Sequence, residues 1–197
     1  MKSLDTKFAP EHGNAIELLR YEHNCIWQLC EHYRAGLEQN PPRDRIKVAQ
    51  ELCHMMAMCS LIEQEILYPA ARTIDEELVL DLLQGHDKIN ACITEIWTLT
   101  PDDMDFDLEV LRLIDIVQMH IHESERMLFP LIKVAIPEHR MQLLVADFVR
   151  RSLLLRIMAK GDLMQRAQGQ IATMPLIAAR AGSISGHRAA AERHPAH

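Results

Sequence analysis

Apolar positions recur at three- and four-residue spacing along most of the chain, the pattern of helices with one face turned to a core. Four long helical stretches follow from it, each closed by a stop signal. The first runs from about Asn14 to Gln39 and ends at Asn40-Pro41-Pro42. The second starts near Asp44 and reaches about Thr73. Asp75 then reads as an N-cap, with Glu76 and Glu77 favoured in the first turn by the helix dipole. That third helix extends to about Leu99, before the turn Thr100-Pro101-Asp102-Asp103, and the fourth spans about Asp105 to Ala135. A fifth begins at Pro137, a first-turn proline, and runs to about Met164. Short connections between long helices favour antiparallel neighbours. The expected fold is therefore all-α: an up-down-up-down four-helix bundle over 14–135, after an N-terminal segment 1–13. A C-terminal helix over 136–167 and a poorly ordered tail over 168–197 follow.

The same periodicity, at about 100° per residue, identifies which polar residues face inward. On the second helix Leu52, Met55, Met56, Cys59, Ile62, Ile66 and Ala70 form one apolar stripe, and Glu63 lies within it. A lone carboxylate there must be protonated, paired or bound to a metal, because its desolvation is costly. On the fourth helix the stripe is Leu113, Ile116, Val117, His120, Met127 and Leu131, with Ser124 inward, Glu123 at its margin and Glu125 outward. On the first, His23 shares a face with Leu19, Ile26, Trp27 and Cys30. On the third, His86 lines up with Asn90, Ile93 and Trp97. A single histidine on an apolar face is more often a satisfied core residue than a ligand. Three of them, one per helix, with a glutamate on the remaining helix, point to a metal site at His23, Glu63, His86 and His120. Trp27, Cys30, Met56, Asn90 and Ser124 would wall the pocket. His12, His54, His139 and the tail histidines read as incidental.

Composition narrows the class. The chain has 197 residues, 48% hydrophobic and 25% charged, enough for a core without disulfide staples. Seven glycines and abundant Leu, Met, Ala and Glu agree with an all-α fold. The net charge of −7 comes from interspersed charges with no basic stripe, which argues against a nucleic-acid partner. No apolar run approaches the roughly 20 residues needed to span a bilayer, and the N-terminus lacks a signal-like apolar region. Five scattered cysteines (Cys25, Cys30, Cys53, Cys59, Cys92) suggest reduced thiols and a cytoplasmic setting rather than a disulfide framework.

A faint internal repeat adds the last element. The segment EILYPAAR (Glu65 to Arg72) recurs as ERMLFPLIK (Glu125 to Lys133), with Pro69 and Pro130 in matching places. Both prolines should loosen the final turns of their helices. Superposing them sets Cys59 on His120 and Glu63 on Ser124, while His23 and His86 correspond within two residues. The functional groups would then meet where two duplicated hairpins join.

Glu22-His23, IEQEILYPAAR closing the second helix, the isolated His86 and HIHESERMLFP closing the fourth together resemble the hemerythrin family, specifically bacterial HHE cation-binding domains, over about Glu11 to Ala135. The resemblance implies a four-helix bundle holding a non-haem di-iron centre, with imidazole ligands and two bridging carboxylates. His23, His86 and His120 match ligand histidines, and Glu63 matches a bridging carboxylate. The family's H-x-x-x-E reads here as Cys59-x-x-x-Glu63 on the second helix and His120-x-x-x-Ser124 on the fourth. Ser124 cannot replace a carboxylate, and Glu123 would need a rotated helix or a bulge to serve. Cys59 as thiolate would favour zinc or a mononuclear iron.

The expectation is a cytoplasmic non-haem metal-binding protein. Its cofactor would be iron, mononuclear or in an incomplete di-iron centre, with zinc as the other candidate and haem the weakest. It would sense O₂, NO or redox state, or handle iron, taking a small diatomic ligand. The alternative is a degenerate site in a metal-free or zinc-bound interaction module. Apolar residues on several faces of the fifth helix, among them Leu143, Phe148, Leu154 and Ile157, suit a homodimer under either reading. No nucleophile–base pair or phosphate-cradling loop appears, so nothing demands enzymatic catalysis.

Overall fold

The computed structural model describes residues 13–38, 42–100 and 102–167, with side chains described from 44 in the second stretch and to 157 in the third. Those residues form helices, turns and short connections, with no strand among them. Helix α1 (Ala15–Gly36) starts at Asn14, whose side chain accepts from the Glu17 N–H at 3.1 Å. Helix α2 (Pro42–Ile62) passes through a π-helical turn (Glu63–Leu67) into α3 (Tyr68–Ala71). Helix α4 (Glu76–Thr98) is capped by Asp75, which accepts from Leu78 N–H at 2.9 Å, the cap its sequence announces. Helix α5 (Phe106–Glu123) likewise runs through a π turn (Ser124–Leu128) into α6 (Phe129–Ala135). Helix α7 (Glu138–Ala167) completes the order.

Each rod packs on its sequence neighbour, α1 on α2 and α4 on α5. The two hairpins close against each other through α1 with α5 and α2 with α4. The result is the expected up-down-up-down bundle. Its core is continuous, with Leu19, Ile26, Leu52, Met56, Ile89 and Leu113 almost wholly excluded from solvent. Helix α7 lies outside this bundle against α1 and α2. It buries Met141, Phe148 and Leu155, seven residues apart, on one stripe. Two ion pairs hold it there, Arg151 to Glu65 at 2.6 Å and Arg156 to Glu22 at 2.9 Å. Leu143, Leu153, Leu154 and Ile157 lie exposed on its outer face. The tail expected over 168–197, and His12, fall outside the described residues.

The two π turns correct the helical phase read from the sequence. Pro69 and Pro130 have no N–H, and their rings would collide with the carbonyl four residues back in a regular α-helix. The helix instead widens by one residue, so that Tyr68 N–H bonds to Glu63 O and Phe129 N–H to Ser124 O. One extra residue rotates everything beyond it by about 100°. Met127 and Leu131, expected inward, are 54% and 39% exposed, while Leu128, Phe129 and Ile132 are buried in their place. On the second rod the burial moves from Ile66 and Ala70 to Leu67, Tyr68 and Ala71.

Candidate metal centre

The four inward residues of the sequence reading converge at the middle of the bundle. His23, Glu63, His86 and His120 are each no more than 1% exposed. Glu63 sits at the centre of the group and its two oxygens face different partners. Oε2 lies 2.9 Å from His86 Nε2 and 3.2 Å from His120 Nε2, and those two nitrogens are 3.0 Å apart. Oε1 faces the other way, 3.5 Å from His23 Nε2, on the side of Cys59. Two overlapping groups result, Glu63 with His86 and His120, and Glu63 with His23 and Cys59. In each group the candidate donor atoms lie within 4.8 Å of one another and all residues are buried.

The repeated sequence ending explains how each group is supported. In both halves the π turn begins six residues before the proline, at Glu63 and at Ser124. The next residue then reaches across to the histidine of the other half. Gln64 Nε2 lies 2.9 Å from His86 Nδ1, and Glu125 Oε1 lies 3.1 Å from His23 Nδ1. The aromatic residue just before each proline stacks on the same ring. Tyr68 covers His86 with ring centres 5.4 Å apart, and Phe129 covers His23 at 5.6 Å. The arrangement is pseudo-symmetric, with one difference of consequence. The Glu125 carboxylate can only accept, so His23 Nδ1 is the donor and Nε2 is turned toward the centre. A carboxamide at Gln64 can present either its oxygen or its nitrogen.

Electrostatics follow from this packing. Burial alone would push the Glu63 carboxyl upward. Hydrogen bonds with His120 and His86, and the nearby His23 ring, outweigh it and hold the group well below the usual carboxylate range. Burial, reinforced by the neighbouring His120, pushes His86 down to about 4, so it is a neutral imidazole at neutral pH. His23 goes the other way: burial opposes its charged form, but contacts with Cys59, Glu125 and Glu63 raise it well above the ordinary histidine value. Burial and the Glu63 charge push the Cys59 thiol up to about 11. A buried carboxylate beside the neutral His86 imidazole, with Glu63 Oε1 and His23 Nε2 lacking hydrogen-bond partners among the described residues, is a donor set with unmet capacity that a bound cation would complete.

The remaining candidates are placed less centrally. Met56 and Cys30 are fully buried core residues. Ser124 is buried, with its hydroxyl against Tyr68. Asn90 is buried one helical turn from His86, and neither carboxamide atom has a hydrogen-bond partner among the described residues. Trp27 departs from the reading as a pocket wall, since it is 41% exposed. It lines a surface cleft of about 370 Å³ that also reaches His23, Arg20, Glu125 and Arg126. Glu123 is half-buried and joins neither donor group. The bulge that Glu123 would need does occur, but it starts at Ser124 and so brings in Glu125 instead. Glu125, read as outward, is therefore a correction, and Gln64, Tyr68 and Phe129 are further contacts that periodicity alone did not reveal. The signal for all four was available in their fixed distance from the two prolines.

Gly85 is a further residue without a sequence assignment. A Cβ there would stand 3.1 Å from His120 Nδ1, closer than ordinary contact. The missing side chain lets α4 approach the His120 ring.

A family model for the Hemerythrin HHE cation binding domain matches residues 14–132. The fold is also similar to the crystal structure of a hemerythrin HHE cation-binding domain-containing protein from Mycobacterium kansasii. The two share 19% identity with a TM-score of 0.69, over 86% of this chain and 99% of that one. No curated protein matches the chain.

Proposed function

We propose, from the premise that this chain belongs to the hemerythrin HHE cation-binding domain family, that it binds iron at Glu63, His86 and His120. We read its role as sensing a small diatomic molecule or redox state, or handling iron. The observation that carries this is the triangle of donor atoms at 2.9, 3.0 and 3.2 Å. For bonds of about 2.1 Å, adjacent ligands of an octahedral ion stand about 3.0 Å apart, against about 3.4 Å for a tetrahedral one. Two imidazoles and one carboxylate on a single octahedral face form the donor set typical of non-haem iron(II) with open positions. The same close convergence leaves no space for a porphyrin between these histidines.

When bound, iron supplies reversible one-electron chemistry and open coordination positions for a small ligand. The chain's own residues do the rest. Glu63 contributes charge, His86 and His120 contribute imidazole nitrogens, and Tyr68 shields His86 from one side. The cleft beside Trp27 and Glu125 is the approach from solvent toward His23.

Metal quantification and absorption spectroscopy on one sample of anaerobically reconstituted protein test this reading. We expect at least one iron per chain, lost in His120→Ala and in Glu63→Ala, and a new half-integer-spin EPR signal when nitric oxide meets the ferrous form. Zinc retained in preference to iron, or metal content unchanged in His120→Ala, would refute it.

A further inference from the structure

We propose that Cys59 is a metal-binding thiolate: with His23 Nε2 and Glu63 Oε1 it makes the second position of the two-metal centre implied by the family resemblance a softer cation site, sharing Glu63 with the first. The inference rests on the reading that Glu63, His86 and His120 hold an ion, and adds to it a site with different chemistry.

Three observations carry it. The Cys59 Sγ, a His23 ring nitrogen and a Glu63 oxygen all lie within 4.8 Å of one another, on residues fully removed from solvent. Glu63 divides its oxygens, with Oε2 committed to His86 and His120 and Oε1 left facing this group. Neither Glu63 Oε1 nor His23 Nε2 has a hydrogen-bond partner among the described residues, and the 3.5 Å between them is too long for an ordinary bond. These are buried polar atoms aimed at one point, beside a sulfur.

The orientation of His23 is set from behind. Its Nδ1 lies 3.1 Å from the Glu125 carboxylate, which accepts only, so Nδ1 donates and Nε2 is aimed at the centre. Phe129 stacked on the ring holds its plane. A sulfur, an imidazole nitrogen and a carboxylate oxygen make a mixed set that suits zinc, cobalt or ferrous iron better than a hard ion such as magnesium. Binding a divalent ion forms the S–metal and N–metal bonds as the Cys59 thiol proton and the His23 Nε2 proton leave to solvent, with no change of oxidation state. Two ions held this way would be inequivalent. One would be backed by an anionic carboxylate and a thiolate, the other by the neutral Gln64 amide.

Cobalt(II) added to the metal-free full chain tests the assignment, because thiolate ligation gives an intense near-ultraviolet charge-transfer band. We expect two cobalt ions per chain, with the band developing over only one equivalent. Cys59→Ser should bind one ion without the band, and Cys59→His two ions without it. One ion and no band in the parent protein would overturn the Cys59 site while leaving that of Glu63, His86 and His120 intact. The band persisting in Cys59→Ser would assign the sulfur elsewhere and overturn it too. No cobalt bound at all would overturn both this site and the reading beneath it. The parent band decides independently of how well the variants fold.

Discussion

Gly85 stands in the interior of α4, where glycine costs a helix about 1 kcal/mol relative to alanine. The close approach of His120 Nδ1 is the physical reason for tolerating that cost. Gly85→Ala should keep or improve helicity by circular dichroism while displacing the His120 ring. Iron affinity should fall by about tenfold or more, the usual cost of disturbing a ligand's support. Unchanged affinity in an equilibrium competition with a chelator would show that the ring simply gives way. Glu125→Ala is the matching change behind His23, with an expected loss of about 10–100-fold in affinity for the second equivalent of cobalt. Glu125→Gln, which keeps an acceptor, should lose less.

At the scale of the element, the two π turns decide which residues of α3 and α6 belong to the core. A regular helix would bury Met127, whereas the observed phase buries Leu128 and leaves Met127 on the surface. Met127→Ala should therefore change unfolding free energy by no more than about 0.5 kcal/mol, and Leu128→Ala should cost about 2–5 kcal/mol. Urea denaturation of the two variants distinguishes the phases, and equal costs would contradict the bulge. The same turns carry Gln64 and Glu125 across to the opposite histidines. A helical irregularity forced by proline thus becomes the means of supporting the centre.

For the whole molecule, ion binding and folding are coupled, because ligands from all four rods meet only in the folded state. An ion present at about 100 times its dissociation constant stabilises by about 2.7 kcal/mol. Chelation should accordingly lower the melting temperature of the parent protein and leave that of His120→Ala unmoved. The metal-free protein should also respond to pH in a defined direction. Glu63 and Glu125 are held below the ordinary carboxyl value, so their stabilisation is present above it and is lost as the pH falls. His86, ordinarily near 6.5, is protonated in the fold only near 4, so the unfolded chain takes up protons preferentially between those values. His86 therefore predicts declining stability on acidification through that window, and the two carboxylates predict a further decline below their ordinary value. His23, raised in the fold, stabilises below its ordinary value and loses that contribution as the pH rises through the folded one. Chelator-treated samples melted across the range should show a maximum between the two limbs.

Helical periodicity, capping at Asp75 and the breaks at the prolines determined from sequence alone that the chain forms a bundle and that one polar group per rod faces inward. The ligand-type residues His23, Glu63, His86 and His120 were legible because a charged or imidazole group on an apolar stripe conflicts with local burial. The family resemblance identified Cys59 and Ser124 as altered positions without saying where their side chains point. Only the tertiary structure decided that Glu63 divides its oxygens between two groups, that Cys59 shares the one with His23, and that Glu125 turns inward while Met127 turns out. The reason is that a constant 100° per residue carries no information about a one-residue widening of the helix. Contacts between different rods depend on how the rods are rotated against each other, which the pattern along a single rod does not fix.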